Sequence, residues 1–130
     1  MDLNNFDFSE AGARACQLTH PGTGEPLVGD NGPVVIHVFG ADSNEFQKAV
    51  NREGNKNLQR PKAKQTMEKI RSTSAKLMAE LTTGWENIVV DGEELPFTAS
   101  NAEMLYQRFN WIKEQVDEFV SERQNFLPNA

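Results

Sequence analysis

The first third of the chain contains short strand-like runs separated by turn residues, and the rest shows a helical repeat of three and four. The run VVIHVF at residues 34–39 is apolar on both faces when it is written as a strand. Residues 13–20 predict a second strand, with Cys16 and Leu18 on one face, and the glycine- and proline-rich stretch after it predicts a turn. Because an isolated hairpin is marginal in water, the run 34–39 must gain a third strand, a covering helix or a neighbouring chain.

Helical spacing predicts two helices in the middle of the chain. The first follows the cap signals at residues 42–43 and ends at Gly54, where a basic loop begins. The second runs from about Lys62 to Leu81, and Gly84 is the stop signal expected just after a helix. The middle of the chain is therefore predicted to be a helix–loop–helix.

The last third, residues 84–127, carries the clearest helix signals, both tryptophans and the only tyrosine. Ser100 and Glu103 form the S-x-x-E capping box of a helix start. Two apolar stripes follow with Asn110 between them, so we expect two short helices with a break there, although one continuous helix also fits the pattern. Such stripes usually form the core of a helical pair; the alternative is that part of a stripe is a groove for a partner helix.

Together these patterns predict an α+β fold: an N-terminal β-hairpin or small sheet followed by about four helices, with a mainly helical C-terminal part. We assign residues 1–12 to an N-terminal arm, 13–127 to a single domain and 128–130 to a C-terminal tail, since one domain is expected for 130 residues. The arm sets a few large apolar side chains among acidic ones. It is either pinned to the domain or loose, or it is a docking segment that orders on a partner.

The net charge of −6 is unevenly distributed along the chain. Residues 48–71 contain eight basic and two acidic side chains, a net charge of +6, so that the remainder carries −12. A basic middle between acidic ends indicates head-to-tail self-contact or an acidic partner. The basic segment lacks the interleaved aromatic residues that stack on bases, which disfavours nucleic-acid binding.

The number of cysteines and the length of the apolar runs indicate the cellular compartment in which the protein is expected. Cys16 is the single cysteine, which excludes an internal disulfide and fits a reducing cytoplasm. No run approaches the roughly 20 apolar residues of a membrane span. The N-terminus has neither the basic region nor the apolar core of a secretory signal. We therefore expect a cytoplasmic protein without membrane contact.

Candidate catalytic and metal-binding groups are sparse in the sequence. His20 and His37 do not stand at a metal-ligand spacing from Cys16 or from an acidic residue. The Gly-Thr-Gly stretch at residues 22–24 lacks the lysine and the following helix of a phosphate loop. Paired carboxylates, such as those at residues 93–94, fall in turns or on helix surfaces, where nothing predicts the burial that raises a catalytic pKa. We therefore predict no enzymatic activity, no cofactor and no metal site.

The C-terminal third has the pattern GW-x-x-IVVDGEELPFT-x-x-NA-x-x-LY-x-x-F-x-WI-x-EQVDEFV-x-x-R-x-NFL. This pattern resembles the C-terminal part of the tail assembly chaperones of long-tailed bacteriophages and prophages. The stretch QLTHPGTGEPL, the short strand after it and the helix after Asp42-Ser43 are similar to these proteins as well, so the resemblance spans roughly Phe6 to Leu127. One departure is Asn110, where members of the family often carry proline.

The resemblance implies a non-enzymatic chaperone that binds the tape measure protein, keeps it soluble and assists the tail tube protein to polymerise around it. It also implies a location in the bacterial host cytoplasm during phage assembly and absence from the mature virion. The alternative is a structural minor tail or tail-completion protein of the virion, whose strands would extend a neighbour's sheet. A third hypothesis is a nucleic-acid-associated regulator that acts through the basic middle.

Size and position suggest which residues contact the partner. Large apolar side chains near the chain ends or at a helix junction, rather than in the middle of an apolar stripe, are the candidates; they are Phe6, Phe8, Trp111, Phe126 and Leu127. We also predict a homo-oligomer, because the strand at residues 34–39 is apolar on both faces and the charge is asymmetric.

Overall fold

The computed structural model describes residues 1–59 and 67–128, and within them the side chains of residues 1–53 and 73–128. Seven strands lie in this part of the chain: β1 (Arg14–Gln17), β2 (Val28–Gly29), β3 (Gly32–Pro33), β4 (Val35–Val38), β5 (Thr82–Glu86), β6 (Val89–Val90) and β7 (Glu93–Glu94). The helices described are α1 (Asn44–Gln59), α2 (Met67–Leu81), α3 (Ala99–Arg108) and α4 (Asn110–Ser121), with 3-10 turns at Leu3–Phe6 and Arg123–Phe126. The predicted α+β fold of a small sheet and four helices is confirmed. None of the helices described has the length and apolarity needed to cross a membrane.

The central sheet has three antiparallel strands in the order β1-β4-β5. Cys16, Ile36 and Trp85 form one row across it, and the first two are buried in the main core against the helices. On the opposite face His37 pairs with Gly84, and a side chain built at Gly84 would meet no atom within 4 Å. The strand that is apolar on both faces thus gains two neighbours and a helical cover within its own chain. Its predicted need for a third strand or a helix is met without another subunit.

Two small hairpins extend from the sheet, one formed by β2 and β3 and the other by β6 and β7. Asp91 and Gly92 form the two-residue loop of the second hairpin, with φ angles of 55° and 82°. Positive φ at both central residues is the requirement of a type I′ turn, which Asp-Gly satisfies readily. The Asp91-Gly92 turn signal in the sequence marks this loop.

Two glycines predicted to stop helices do not do so. α1 continues past Gly54 to Gln59, because one glycine costs only about 1 kcal/mol in a helix interior and α1 packs along α2. α2 ends at Leu81, and the chain passes directly into β5, which contains Gly84. The sheet sets the end of α2, because the next residues pair with β4 as its edge strand. The predicted start of this helix at Lys62 lies outside the described residues.

The N-cap of α3 is Thr98, so the predicted capping box of Ser100 and Glu103 is wrong. The Thr98 hydroxyl accepts a hydrogen bond from the Asn101 backbone N–H at 3.0 Å, and Ser100 already lies inside the helix. Thr98 has extended backbone angles, with φ −140° and ψ 160°, as an N-cap requires. The cap therefore stands two residues earlier than the sequence motif indicated.

Thr98→Ala is expected to lower the free energy of unfolding by about 1 kcal/mol, because it removes the acceptor of an otherwise unpaired N–H. Ser100→Ala is the matched control, and it should change stability by less than about 0.5 kcal/mol. Urea unfolding followed by tryptophan fluorescence measures both. If the two variants lowered stability equally, Ser100 would contribute to the cap as the sequence motif predicts.

The predicted break between the last two helices is confirmed at Phe109. This residue has φ −113° and ψ 79°, ends α3 and precedes α4. No side-chain hydrogen bond caps α4; Asn110 is its first residue and donates its side-chain N–H to Glu114 at 2.9 Å. The break allows both helices to turn their apolar faces into one core.

The core joins the sheet to the inner faces of α2, α3 and α4. Its largest fully buried side chains are Tyr106, Leu18, Ile36, Leu81, Leu105, Val38 and Val116. The Tyr106 hydroxyl lies 2.7 Å from the Thr82 hydroxyl, and Thr82 also donates to the Met78 carbonyl at 2.8 Å. Each buried hydroxyl therefore has a partner, which keeps the desolvation cost low.

Candidate partner-binding surface at the chain termini

The C-terminal segment folds back onto the start of the helical region. After α4 the chain turns through Arg123–Phe126 and buries the Phe126 ring, which is 3% exposed. The ring meets Phe119 edge-on, with 5.4 Å between centroids. It also lies so close to Gly40 that a β-carbon there would stand 2.8 Å from it. Glycine at residue 40 is thus required by the packing of Phe126.

Polar contacts fasten this segment at three points. Arg123 Nε donates to Asp42 Oδ2 at 2.6 Å, and this hydrogen bond raises the pKa of the Arg123 guanidinium. Arg14 Nη2 donates to the Leu127 carbonyl at 3.2 Å. The Ala41 backbone N–H donates to the Val120 carbonyl at 3.0 Å. The last residues described are therefore tied to the sheet and to the loop before α1.

The N-terminal arm reaches the same end of the molecule. Asp2 accepts a hydrogen bond from the Asn4 N–H and begins the 3-10 turn Leu3–Phe6. The Ser9 carbonyl accepts from the first N–H of α1, at Asn44, at 3.0 Å. Phe8 then lines a pocket with Phe126, so the arm is anchored to the domain by its second phenylalanine.

Ahead of that anchor, large apolar side chains remain in solvent. Leu3 is 75% exposed and Phe6 is 53% exposed, and Met1 and Leu127 are exposed as well. We name these four residues, Met1, Leu3, Phe6 and Leu127, the terminal surface. Single exposed apolar residues are common on proteins, but four of them near the two chain termini, which Phe8 and Phe126 bring to one end of the molecule, make this end a candidate interaction site.

The five predicted contact residues separate into three groups. Phe6 and Leu127 belong to the terminal surface, and Phe8, two residues after Phe6, is half-buried and lines a pocket with Phe126. Phe126 is at the same end but is a core residue, so the premise that it lies outside the core is wrong. A side chain that is 3% exposed has little area to offer a partner.

Trp111 lies away from the other four. It is in the first turn of α4, half-buried against the core, whereas the terminal surface lies beyond the last turn of that helix. Val120 lies nine positions after Trp111, which corresponds to about 14 Å along a helix axis. The structure therefore does not bring Trp111 to the terminal surface.

Sequence reasoning missed the residues that hold this end together. Gly40 carries no local signal for the Phe126 ring, because the two are 86 positions apart in the chain. The pairs Arg123–Asp42 and Arg14–Leu127 are separated by 81 and 113 positions. Only the folded chain places these partners side by side, since single-sequence patterns report local structure.

Side chains that could take part in catalysis or metal binding lie outside the terminal surface. The His37 Nε2 atom is 3.1 Å from Glu86 Oε2 on the solvent-facing side of the sheet. The Cys16 thiol is buried, and burial raises its pKa to about 11, so it is not a thiolate at neutral pH. Among the residues that the structure describes, no three His, Cys, Asp or Glu side chains are grouped to hold a metal ion.

The pocket between the arm and the C-terminal segment is small. Phe8, Ala11, Gly40, Val120 and Phe126 line it, and its free volume of about 10 Å³ holds roughly one water molecule. Small-molecule sites are usually several hundred Å³. This pocket is a packing gap at the base of the terminal surface.

Of the eight basic residues in the segment 48–71, the structure describes the side chains of Lys48 and Arg52 only. Arg52 Nη2 lies 3.5 Å from Glu80 Oε2, which ties α1 to α2. The predicted lack of nucleic-acid binding therefore stays a prediction, because the other six side chains lie outside the described set.

The terminal surface is the feature that best fits a binding role. It combines exposed apolar side chains with an anchor of buried aromatic rings and backbone hydrogen bonds. Comparison of the chain with protein-family models, curated proteins and solved structures finds no match.

Proposed function

We propose that this protein is a non-enzymatic tail assembly chaperone that binds the tape measure protein and keeps it soluble until the tail tube protein polymerises around it. The observation that carries the proposal is the terminal surface, where Leu3 and Phe6 stay exposed although Phe8 beside them is packed. The sequence resemblance over residues 6–127 names the partner. Apolar side chains on a short arm suit the apolar face of an amphipathic helix.

The expected affinity of one copy is low. Burying a leucine or phenylalanine fully stabilises a complex by roughly 1.5–3 kcal/mol. Association itself costs about 4–15 kcal/mol, so a few such side chains give a weak contact. A long helix offers many equivalent apolar segments. Several copies of a weak binder would cover it and could still be displaced by the tail tube.

Charge supports the same role. Carboxylates Asp2, Asp7 and Glu10 surround the apolar residues of the arm, and the whole chain carries −6. A covered helix would thus be surrounded by like charges that resist aggregation between complexes.

Co-expression with the tape measure protein of the same genome tests the proposal. Wild-type protein should bring the tape measure protein into the soluble fraction and co-elute with it on size exclusion. The double variant Leu3→Ser/Phe6→Ser should lose at least half of that soluble partner, because both side chains are more than half exposed and their loss removes little packing within the domain. Val50→Ser, at an exposed apolar position on α1, is the matched control and should behave as wild type.

Two outcomes would count against the chaperone role. If the tape measure protein stays insoluble and this protein is found in purified particles, the protein is a structural tail component. If the arm variant solubilises its partner as well as wild type does, the terminal surface is not where the partner binds.

A further inference from the structure

The two small hairpins lie side by side at the end of β4 that is opposite to the terminal surface. The Asn87 side-chain N–H donates to the Pro33 carbonyl at 2.8 Å, which joins the hairpin of β2 and β3 to the chain just before β6. Asn87 has φ +64°, and a β-carbon placed on Gly29 would stand 3.7 Å from its side chain. The hairpins are therefore held against each other by one residue with an unusual backbone conformation.

Each hairpin exposes one valine. Val28 is 69% exposed and Val89 is 61% exposed, whereas their neighbours Leu27 and Val90 pack against the core. The approach of Gly29 to Asn87 limits the distance between the two valine α-carbons. With about 3.8 Å between successive α-carbons on either side of that contact, the distance is at most about 18 Å. Two β-branched apolar side chains thus stand in solvent on adjoining hairpins.

Carboxylates lie in the same two hairpins as these valines, and Glu94 pairs with Val89 across the second one. Asp30, Glu93 and Glu94 are exposed, and the side chain of neither glutamate has a hydrogen-bond or ion-pair partner among the described residues. Arg108, the basic side chain that reaches the second hairpin, is held by both carboxylate oxygens of Asp91 at 3.1 and 3.2 Å. We name Val28, Val89, Asp30, Glu93 and Glu94 the double-hairpin surface; it is apolar and negatively charged.

We infer that the double-hairpin surface binds the basic segment at residues 48–71 of a second copy of this chain. That segment carries a net charge of +6, which is opposite in sign to the carboxylates of the double-hairpin surface. The exposed arm of a second copy is a poorer fit, because its acidic residues would face Glu93 and Glu94.

The contact joins different patches on the two copies. It can therefore close as a two-fold dimer, in which each hairpin surface meets the segment of the other copy, or repeat into a ring or an open chain. The double-hairpin surface lies at the end of the sheet away from the terminal surface, so the inference does not rest on the proposed function.

Sedimentation velocity on the full chain across micromolar concentrations tests the inference. Wild-type protein should self-associate at low salt, and the association should weaken as salt screens the charges. Glu93→Lys/Glu94→Lys should weaken association at least about tenfold, and Val89→Ser should weaken it with less salt dependence. Glu118→Lys/Glu122→Lys reverses the same number of exposed charges on and just after α4 and should leave association near the wild-type level.

A charge exchange identifies the occupant. Lys62→Glu/Lys64→Glu should also weaken self-association, and mixing this protein with Glu93→Lys/Glu94→Lys should restore it, since each altered surface then meets its complement. A monomer at all concentrations overturns the inference. Equal losses in the hairpin and α4 variants, or a mixture that stays dissociated, overturn it as well.

Discussion

Phe126→Ala lowers the free energy of unfolding by about 3–5 kcal/mol, whereas Phe6→Ala leaves it within about 0.5 kcal/mol. The difference follows from position alone. The Phe126 ring is buried against Gly40, Phe119 and Phe8, so its removal leaves a cavity that the surrounding backbone cannot fill. The Phe6 ring is half in water already, so alanine removes little packing.

Urea unfolding followed by tryptophan fluorescence measures both variants. Leu127→Ala is a further control, because it is adjacent in the chain to Phe126 but exposed, and it should resemble Phe6→Ala. If Phe126→Ala were as stable as wild type, the docking of the C-terminal segment onto Gly40 would not be part of the folded state.

This result bears directly on how partner assays are interpreted. A Phe126→Ala protein that fails to solubilise its partner fails because the domain is weakened, and such a result says nothing about contact. Substitutions at Leu3 and Phe6 test contact itself, since folding does not depend on them. The five residues selected from the sequence therefore need two different experiments.

The contrast between Phe6 and Phe126 also shows where single-sequence reasoning stops. Both are phenylalanines near a chain end, next to a polar turn, and no local pattern separates them. The buried one is identified by Gly40, which is 86 positions away and matters only after β4 and the C-terminal turn meet. Burial at chain ends is a long-range property, whereas the periodicity of a helix or strand is local.

The same distinction explains which strands, helix breaks and helix caps could be predicted from the sequence. The strand at 35–38 and the break at Phe109 were predictable, because a β-branched run and two offset apolar stripes are visible within a few residues. β5 was not, since its sequence TTGWE has one large apolar residue and a glycine, and it becomes a strand by pairing with β4. The cap of α3 was misplaced by two residues because Thr98 and Ser100 are both good caps and only the path after Pro96 selects the first.

The two candidate interaction surfaces lie at opposite ends of the central sheet. Leu3 and Phe6 lie beyond Val38, at the terminal surface, and Val28 and Val89 lie beyond Val35, at the double-hairpin surface. Between them β4 is buried on its helical face, and the Thr19 backbone, just past β1, is paired by the Gln115 side chain through bonds of 2.9 Å to its N–H and carbonyl. A side chain that pairs with strand backbone in this way limits extension of the sheet at that point. Contacts with partners are thus expected at the ends of the sheet rather than along β1.

Alkaline pH is expected to destabilise the fold through two neighbouring buried groups. Burial raises the pKa of the Cys16 thiol to about 11 and raises the pKa of the Tyr106 hydroxyl above its ordinary value. Both groups are neutral when protonated, so the folded state favours the protonated form and the unfolded chain loses the proton first. The stabilisation is complete below about pH 8, where the unfolded thiol still holds its proton, and it is lost as the pH rises toward the folded-state pKa of about 11.

The thiol alone should lower the free energy of unfolding by about 2–3 kcal/mol between pH 9 and 11, at about 1.4 kcal/mol per pH unit. Tyr106 adds to the slope above about pH 10, where tyrosine ionises in an unfolded chain. Urea unfolding at half-unit steps from pH 7 to about pH 11 measures the slope. Cys16→Ala should flatten it between pH 9 and 10, and Tyr106→Phe should flatten it above pH 10, whatever each substitution does to stability at pH 7. A slope that neither variant changes would mean that these two groups are hydrated, and the core around Cys16 and Tyr106 would then be packed more loosely than their burial implies.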